Sequence, residues 1–241
     1  MPLAKQALRE EIWQALTVNR VARFPGAHGR IPNFVGAEAA ARHLTTLGAW
    51  LAARTVKSNP DAPQRPVRYA ALNAGKVVYL AVPRLRTLAP FIELDPRMLD
   101  KAKLWQASSI RGGFELGRAV ALEDMSHIDL IVAGSVAVCR DGARLGKGGG
   151  YSDLEYALSR EAGLLDEEVP IVTTVHPLQI VAAGDIEMTR HDISLNWIAT
   201  PQGILRTHGR YPRPPGVLWD ELGEKLDEIP VLQDLAARRR R

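Results

Sequence analysis

The chain has 241 residues, 46% of them apolar, and a single cysteine, Cys139; it can bury a full core, but it excludes a disulfide framework or a cysteine zinc cluster and fits a reducing compartment. Its formal charge of +4 equals that of the four arginines at 238–241, so the body is balanced and gives no charge argument for a nucleic-acid partner. No apolar run approaches the ~20 residues of a membrane span and no opening segment has signal-peptide order, which together predict a soluble cytoplasmic protein with no membrane partner.

Residues 3–16 have helical spacing, with Leu8, Ile12 and Leu16 facing the core and Lys5 and Arg9 on a neighbouring stripe. Charges four apart are equally consistent with a solvated face and with an anion-binding one. Pro25, Gly26, Gly29 and Pro32 mark residues 24–33 as a loop, and the alanine-rich stretch 37–53 reads as a second helix. Residues 67–72 and 76–82 read as two strands across an Asn73-Ala74-Gly75 turn. Arg84 and Arg86 follow at a strand end, where they suit either an acidic substrate tail or plain solvated surface. A short helix is expected over 95–106, opened by Asp95-Pro96.

Residues 128–135, apolar from Leu130 to Ala133, predict a strand buried on both faces, and Leu154, Leu158 and Ala162 give 151–163 a helical period. Residues 171–175 and 193–199 read as the last strands, 203–216 as a proline- and arginine-rich exit, and 218–235 as a peripheral helix. Strands alternating with helices predict a three-layer α/β/α fold around a mostly parallel sheet.

Between the apolar run and the helix lies the most informative stretch, Gly142-Ala143-Arg144-Leu145-Gly146-Lys147-Gly148-Gly149-Gly150-Tyr151-Ser152-Asp153. Glycines let backbone N–H groups turn inward, Arg144 and Lys147 neutralise oxyanions, and a following helix adds its positive N-terminus. Asp153 is placed to bring a magnesium ion to the same anion. The spacing is not that of a Walker A loop, because no Ser or Thr follows Lys147. Pattern alone leaves a plain glycine-rich turn open as the alternative.

The six histidines show no ligand spacing, so zinc is not expected; His176, after an apolar run, reads better as a structural histidine than as a site residue. Ser135 and Ser152 lack a nucleophile-elbow context.

The string Arg144-Leu145-Gly146-x-Gly148-x-Gly150-Tyr151-x-Asp153 resembles the signature of the 5-formyltetrahydrofolate cyclo-ligase family, the methenyltetrahydrofolate synthetases. Lys5-Gln6-Ala7-Leu8-Arg9, the run from Val175 to Gln179, Asp192 and Thr200-Pro201 follow that family in order. Arg30-Ile31-Pro32-Asn33-Phe34, Val82-Pro83-Arg84-Leu85-Arg86 and the segment 132–138 resemble its divergent branch, the methenyltetrahydrofolate synthetase domain-containing proteins.

The resemblance implies a cyclo-ligase-like domain over 1–205, with 206–241 as a C-terminal extension ending in the basic tail. It implies ATP and Mg2+ as cofactors and a reduced folate as small-molecule substrate, closed from 5-formyltetrahydrofolate to 5,10-methenyltetrahydrofolate. Lys5, Arg9, Arg144 and Lys147 are then expected on phosphate oxygens and Gly146, Gly148, Gly149 and Gly150 as backbone donors. Tyr151 is expected to close over the reacting centre, and Asp153 with Asp192 to hold the metal. Tyr151-Ser152 departs from the family's usual pair of tyrosines, and Asn59-Pro60-Asp61 stands where a folate-holding glutamate is expected. Phosphate binding therefore carries over better than folate binding. An ATP-using step on another small molecule, such as one of thiamine-related metabolism, and a nucleotide-binding regulatory protein without turnover are the alternatives. RNA binding through the tail lacks an aromatic recognition signature.

Overall fold

The computed structural model describes residues 2–209 and 211–239. In chain order the elements are α1 (Pro2–Val18), α2 (Ala37–Leu44), α3 (Gly48–Ala52), β1 (Thr55–Ser58), α4 (Arg65–Asn73), β2 (Val77–Ala81), β3 (Phe91–Leu94), α5 (Leu104–Ala107) and α6 (Ile110–Leu116). They continue with β4 (Arg118–Val120), β5 (Leu130–Ala133), β6 (Ala137–Cys139), β7 (Arg144–Leu145), α7 (Tyr151–Glu161), β8 (Ile171–Thr174) and β9 (Ile180–Val181). The last are β10 (Trp197–Thr200), β11 (Gly203–Arg206), α8 (Lys225–Glu228) and α9 (Pro230–Arg239).

Eight strands form the main sheet in the order β11-β10-β8-β5-β1-β2-β3-β4. The run from β10 to β2 is parallel, with β11 at one side and β3 and β4 at the other added antiparallel. Every residue of β1, β5 and β8 is buried, because helical layers cover both faces of the central parallel strands, and β5 is apolar throughout. The period of two divides them between layers: Leu130 and Val132 pack with Val67, Ala71 and Leu72 of α4, whereas Ile131 and Ala133 pack with Leu154 and Leu158 of α7. The fold is therefore α/β with a mostly parallel sheet between helical layers. A second, three-stranded sheet, β7-β6-β9, is covered by Ile12, Trp13 and Leu16 of α1. Val217, Ile229 and Leu232, from the segment after β11, are buried in the same cluster as Leu158 and Ile171.

Several expected elements differ. Residues 67–72, read as a strand, lie inside α4: Val67, Ala71 and Leu72 are buried at helical spacing, and Pro66 opens the helix. The expected helix 37–53 breaks at Thr45 and Thr46, whose hydroxyls donate to the carbonyls of Arg42 and His43, leaving α2 and α3. Asp95 organises a turn, accepting from Arg97 N at 2.9 Å, and helix proper begins only at Leu104. Residues 193–199 become strand only from Trp197, and the exit segment opens with β11. The 218–235 helix is replaced by α8 and α9, interrupted at Ile229, whose backbone is extended, before Pro230. β1, β3, β4 and the small sheet had no counterpart in the sequence reading.

Candidate functional site

The carboxyl ends of the parallel strands open onto a cleft of about 550 Å³ whose lining includes Asn59, Asp61, Arg84, Lys147, Tyr151 and Glu155. The glycine-rich stretch borders it, but not as the direct connection from β5 to α7. The hairpin of β6 and β7 intervenes, and the loop leaves from β7.

Gly148 and Gly150 have φ of 110° and 65°, left-handed backbone that glycine adopts without strain. A Cβ on Gly148 would sit 3.5 Å from the Arg9 guanidinium carbon, and one on Gly150 2.9 Å from Lys225 Nζ. Arg9 is buried against this loop and donates from Nε to the Gly146 carbonyl at 2.8 Å. Burial lowers its pKa and the Asp192 charge opposes that. From the other side Lys225 Nζ donates to the Gly149 carbonyl at 3.1 Å and lies 5.4 Å from the Tyr151 ring centre. Lys147 is half exposed, its Nζ 3.5 Å from Asp61 Oδ1.

Arg144 is buried. Its terminal nitrogens donate to the Gly134 carbonyl and to Asp153 Oδ1, each at 2.7 Å, and its Nε has no partner among the described residues. Asp153 Oδ1 also accepts from Ile193 N at 3.0 Å. Asp192 Oδ2 accepts from Lys5 Nζ at 2.9 Å, Thr189 N at 2.7 Å and Thr189 Oγ1 at 2.9 Å. Burial pushes the Asp192 carboxyl up, but the bonds from Thr189 and Lys5 outweigh it and hold the pKa below the ordinary value. Asp153 and Asp192, 39 positions apart in the chain, line a second hollow of about 240 Å³ together with Gly150, His191 and Lys225. Gly150 and Asp153 belong to both cavities, so the loop is the partition between them.

As a donor set, each aspartate has one oxygen engaged by the protein and one left for another ligand. Two carboxylates complemented by phosphate oxygens and water suit magnesium, which is bound by few protein ligands. Among the described residues no group of three or more His, Cys, Asp or Glu gathers to hold a metal by itself.

His176 lies outside both cavities as a turn cap: its Nδ1 accepts from Leu178 N at 3.3 Å, and burial lowers its pKa. Ser135 shares a buried hydrogen bond with Thr173, and Ser152 donates to Asn59 Oδ1.

The sequence reading missed the polar floor of the cleft. Lys57, in the centre of β1, is ion-paired with Glu155 of α7, and both are buried. Burial pushes the Glu155 carboxyl up while Lys57 pulls it back. Asn59 donates to Glu155 Oε2 at 3.2 Å and accepts on Oδ1 from Gly134 N at 2.9 Å, tying β1, β5 and α7 at one point. Beneath it the enclosed Arg68 donates to the carbonyls of Asn59, Asp61 and Ser108, its pKa lowered to about 9 chiefly by burial. The available signals were a lysine in a strand-like run and a glutamate beside an apolar helical stripe.

The family model described as the 5-formyltetrahydrofolate cyclo-ligase family matches residues 3–201. Among curated relatives, the mouse methenyltetrahydrofolate synthase domain-containing protein is 40% identical over 98% of this chain and 64% of its own length. The human protein of that name is 35% identical over 98% of this chain and 62% of its own length. The chain thus spans a little under two thirds of the relatives it matches. The solved Aquifex aeolicus 5,10-methenyltetrahydrofolate synthetase superposes with a TM-score of 0.52 at 17% identity, covering 90% of this chain and 98% of that one, and shares the fold.

Proposed function

The chain belongs to the 5-formyltetrahydrofolate cyclo-ligase family, and from that premise we propose that it closes 5-formyltetrahydrofolate to 5,10-methenyltetrahydrofolate at the expense of ATP. The supporting observation is the partition loop, with positive-φ glycines backed by Arg9, edged by Lys147 and followed by two converging aspartates.

In this reading the formyl oxygen attacks the γ-phosphorus and ADP leaves. N10 then adds to the activated formyl carbon, gives up its proton to solvent, and inorganic phosphate departs with the former formyl oxygen. Such chemistry asks the protein mainly to position reactants and neutralise charge. Arg9, Lys5 and Lys147 take phosphate oxygens, and the N–H groups of Gly146, Gly148, Gly149 and Gly150 supply backbone donors. Arg144 spends one N–H of each terminal nitrogen on the Gly134 carbonyl and Asp153, so it orients Asp153 and has its remaining N–H groups for phosphate oxygens. Magnesium, held by Asp153 and Asp192, would supply charge neutralisation at the departing phosphoryl group. Tyr151 lines the folate side of the loop and covers the reacting centre.

ATP hydrolysis measured with and without 5-formyltetrahydrofolate, with methenyl absorbance followed in the same cuvette, tests the proposal. One methenyl product per ADP is expected. ATP binding with neither product would replace this reading with that of a nucleotide-responsive regulator, whereas folate-independent coupling to another acceptor would point to a different small substrate.

A further inference from the structure

The reaction proposed above leaves the Lys57–Glu155 pair without a task. Packing does not demand it, since an apolar pair of similar volume commonly stabilises a protein interior as well as a buried ion pair or better. Nor is it sealed away. The Glu155 side chain is only 7% exposed, yet it reaches the surface of the cleft. Its Oε2 receives both Lys57 Nζ and Asn59 Nδ2, and Oε1 receives no donor among the described residues. Asn59 is itself fixed by Gly134 N and Ser152 Oγ, so the carboxylate is held at three elements and cannot swing to find a partner of its own.

We propose that Glu155 is a specificity-determining residue whose free oxygen accepts hydrogen bonds from a neutral nitrogen heterocycle presenting N–H donors, such as a ring N–H beside an exocyclic amine. Lys57 and Asn59 are its positioning residues. The charges around the cleft choose a neutral head over a cation, because Lys57 already balances Glu155, Arg144 pairs with Asp153, and Arg30, Arg84 and Lys147 then outnumber Asp61 on the remaining lining. The same arginines favour an anionic tail on the ligand. A flat donor edge in a poorly hydrated site gains most from a preorganised acceptor, and a ligand lacking that edge leaves the buried oxygen unpaired. The inference deepens the folate reading, and rests on it only for the cleft being the substrate site.

Glu155→Gln alone would leave Lys57 buried and unpaired, so the deciding protein is the double variant Lys57→Met/Glu155→Leu. Three quantities are measured on it and on the parent: melting temperature, ATP affinity, and binding of 5-formyltetrahydrofolate beside its analogue lacking the 2-amino group. A preserved melting temperature and an ATP affinity within twofold are expected. Folate binding should fall more than tenfold, and the parent's preference for the amine-bearing ligand should vanish. Equal folate binding by parent and double variant, or a parent indifferent to the amine, overturns the assignment. 6-Methyltetrahydropterin, which carries the donor edge without the folate tail, separates this from the reaction itself. If the parent binds it and the double variant does not, Glu155 keeps its role even where no methenyl product forms; if the parent does not bind it, or both bind it equally, the assignment fails.

Discussion

Lys147 and His176 show how differently two polar side chains act when one stands in the cleft and the other caps a turn. Lys147 is half exposed and, among the described residues, pairs with Asp61 at 3.5 Å, an ion pair of the kind that contributes little to stability. Lys147→Ala should therefore leave the melting temperature unchanged while weakening ATP binding about tenfold, or about 1.4 kcal/mol, measured by isothermal titration. Unchanged affinity would make Lys147 an ordinary surface charge. His176 works through its neutral form, since Nδ1 must accept from Leu178 N. Its folded pKa is lowered from 6.5 by burial, so the unfolded chain takes up the proton first as the medium acidifies. Stability is then full above the unfolded value and declines as pH falls through it toward the folded one. His176→Asn, which keeps a cap acceptor without titrating, should flatten that decline in urea denaturation as the pH falls below 6.5. An unchanged slope would assign the pH response to other groups.

The loop before α7 derives its shape from its glycines and its rigidity from neighbours on both sides. Arg9 of α1 holds the Gly146 carbonyl and Lys225 of α8 holds that of Gly149, so elements from the two ends of the chain clamp one segment. Gly148→Ala places a side chain at φ 110° beside the Arg9 guanidinium, costing on the order of 1–3 kcal/mol of backbone strain. The expected result is a measurable fall in melting temperature together with a larger loss of ATP affinity, because the proposed phosphate binding depends on the shape of this loop. Loss of stability with ATP affinity intact would show that the loop's conformation serves the fold alone. The same elements show why local reading erred: Val67-Arg68-Tyr69-Ala70-Ala71-Leu72 carries enough apolar residues for either period, and the helix is settled by the anchoring of Arg68 to three carbonyls.

Across the whole molecule, the family match ends at residue 201 while the core does not. Val217, Ile229 and Leu232 are buried with Leu158 and Ile171, so removing residues 206–241 should destabilise the protein by several kcal/mol and yield a poorly soluble product. Removing only residues 238–241 is a different operation. Arg238 pairs with Glu123 and Asp234, and Arg239 with Glu161, all near the surface, while Arg240 and Arg241 lie outside the described residues. That shorter deletion should shift stability by about 1 kcal/mol at most and leave ATP affinity unchanged. If the 206–241 deletion kept the parent's melting temperature, the segment would be an appendage; if the short deletion abolished ATP binding, the tail would have to engage the site.

By itself the sequence determined the α/β class, the family, α1, α7 and the parallel strands β2, β5, β8 and β10, because runs such as Leu130-Ile131-Val132-Ala133 and the glycine-rich string are local in the chain. Only tertiary structure decided what lies across the sheet from what. Lys57 and Glu155 are 98 positions apart, Lys5 and Asp192 187, and Lys225 and Gly149 76. A lysine in Thr55-Val56-Lys57-Ser58 argues against a central strand until its buried partner is known, and that is why β1, at the centre of the sheet, escaped the reading. Periodicity reports which face of an element is apolar; the desolvation of a charge is offset by whichever group the fold brings to it, and no spacing along the chain records that group.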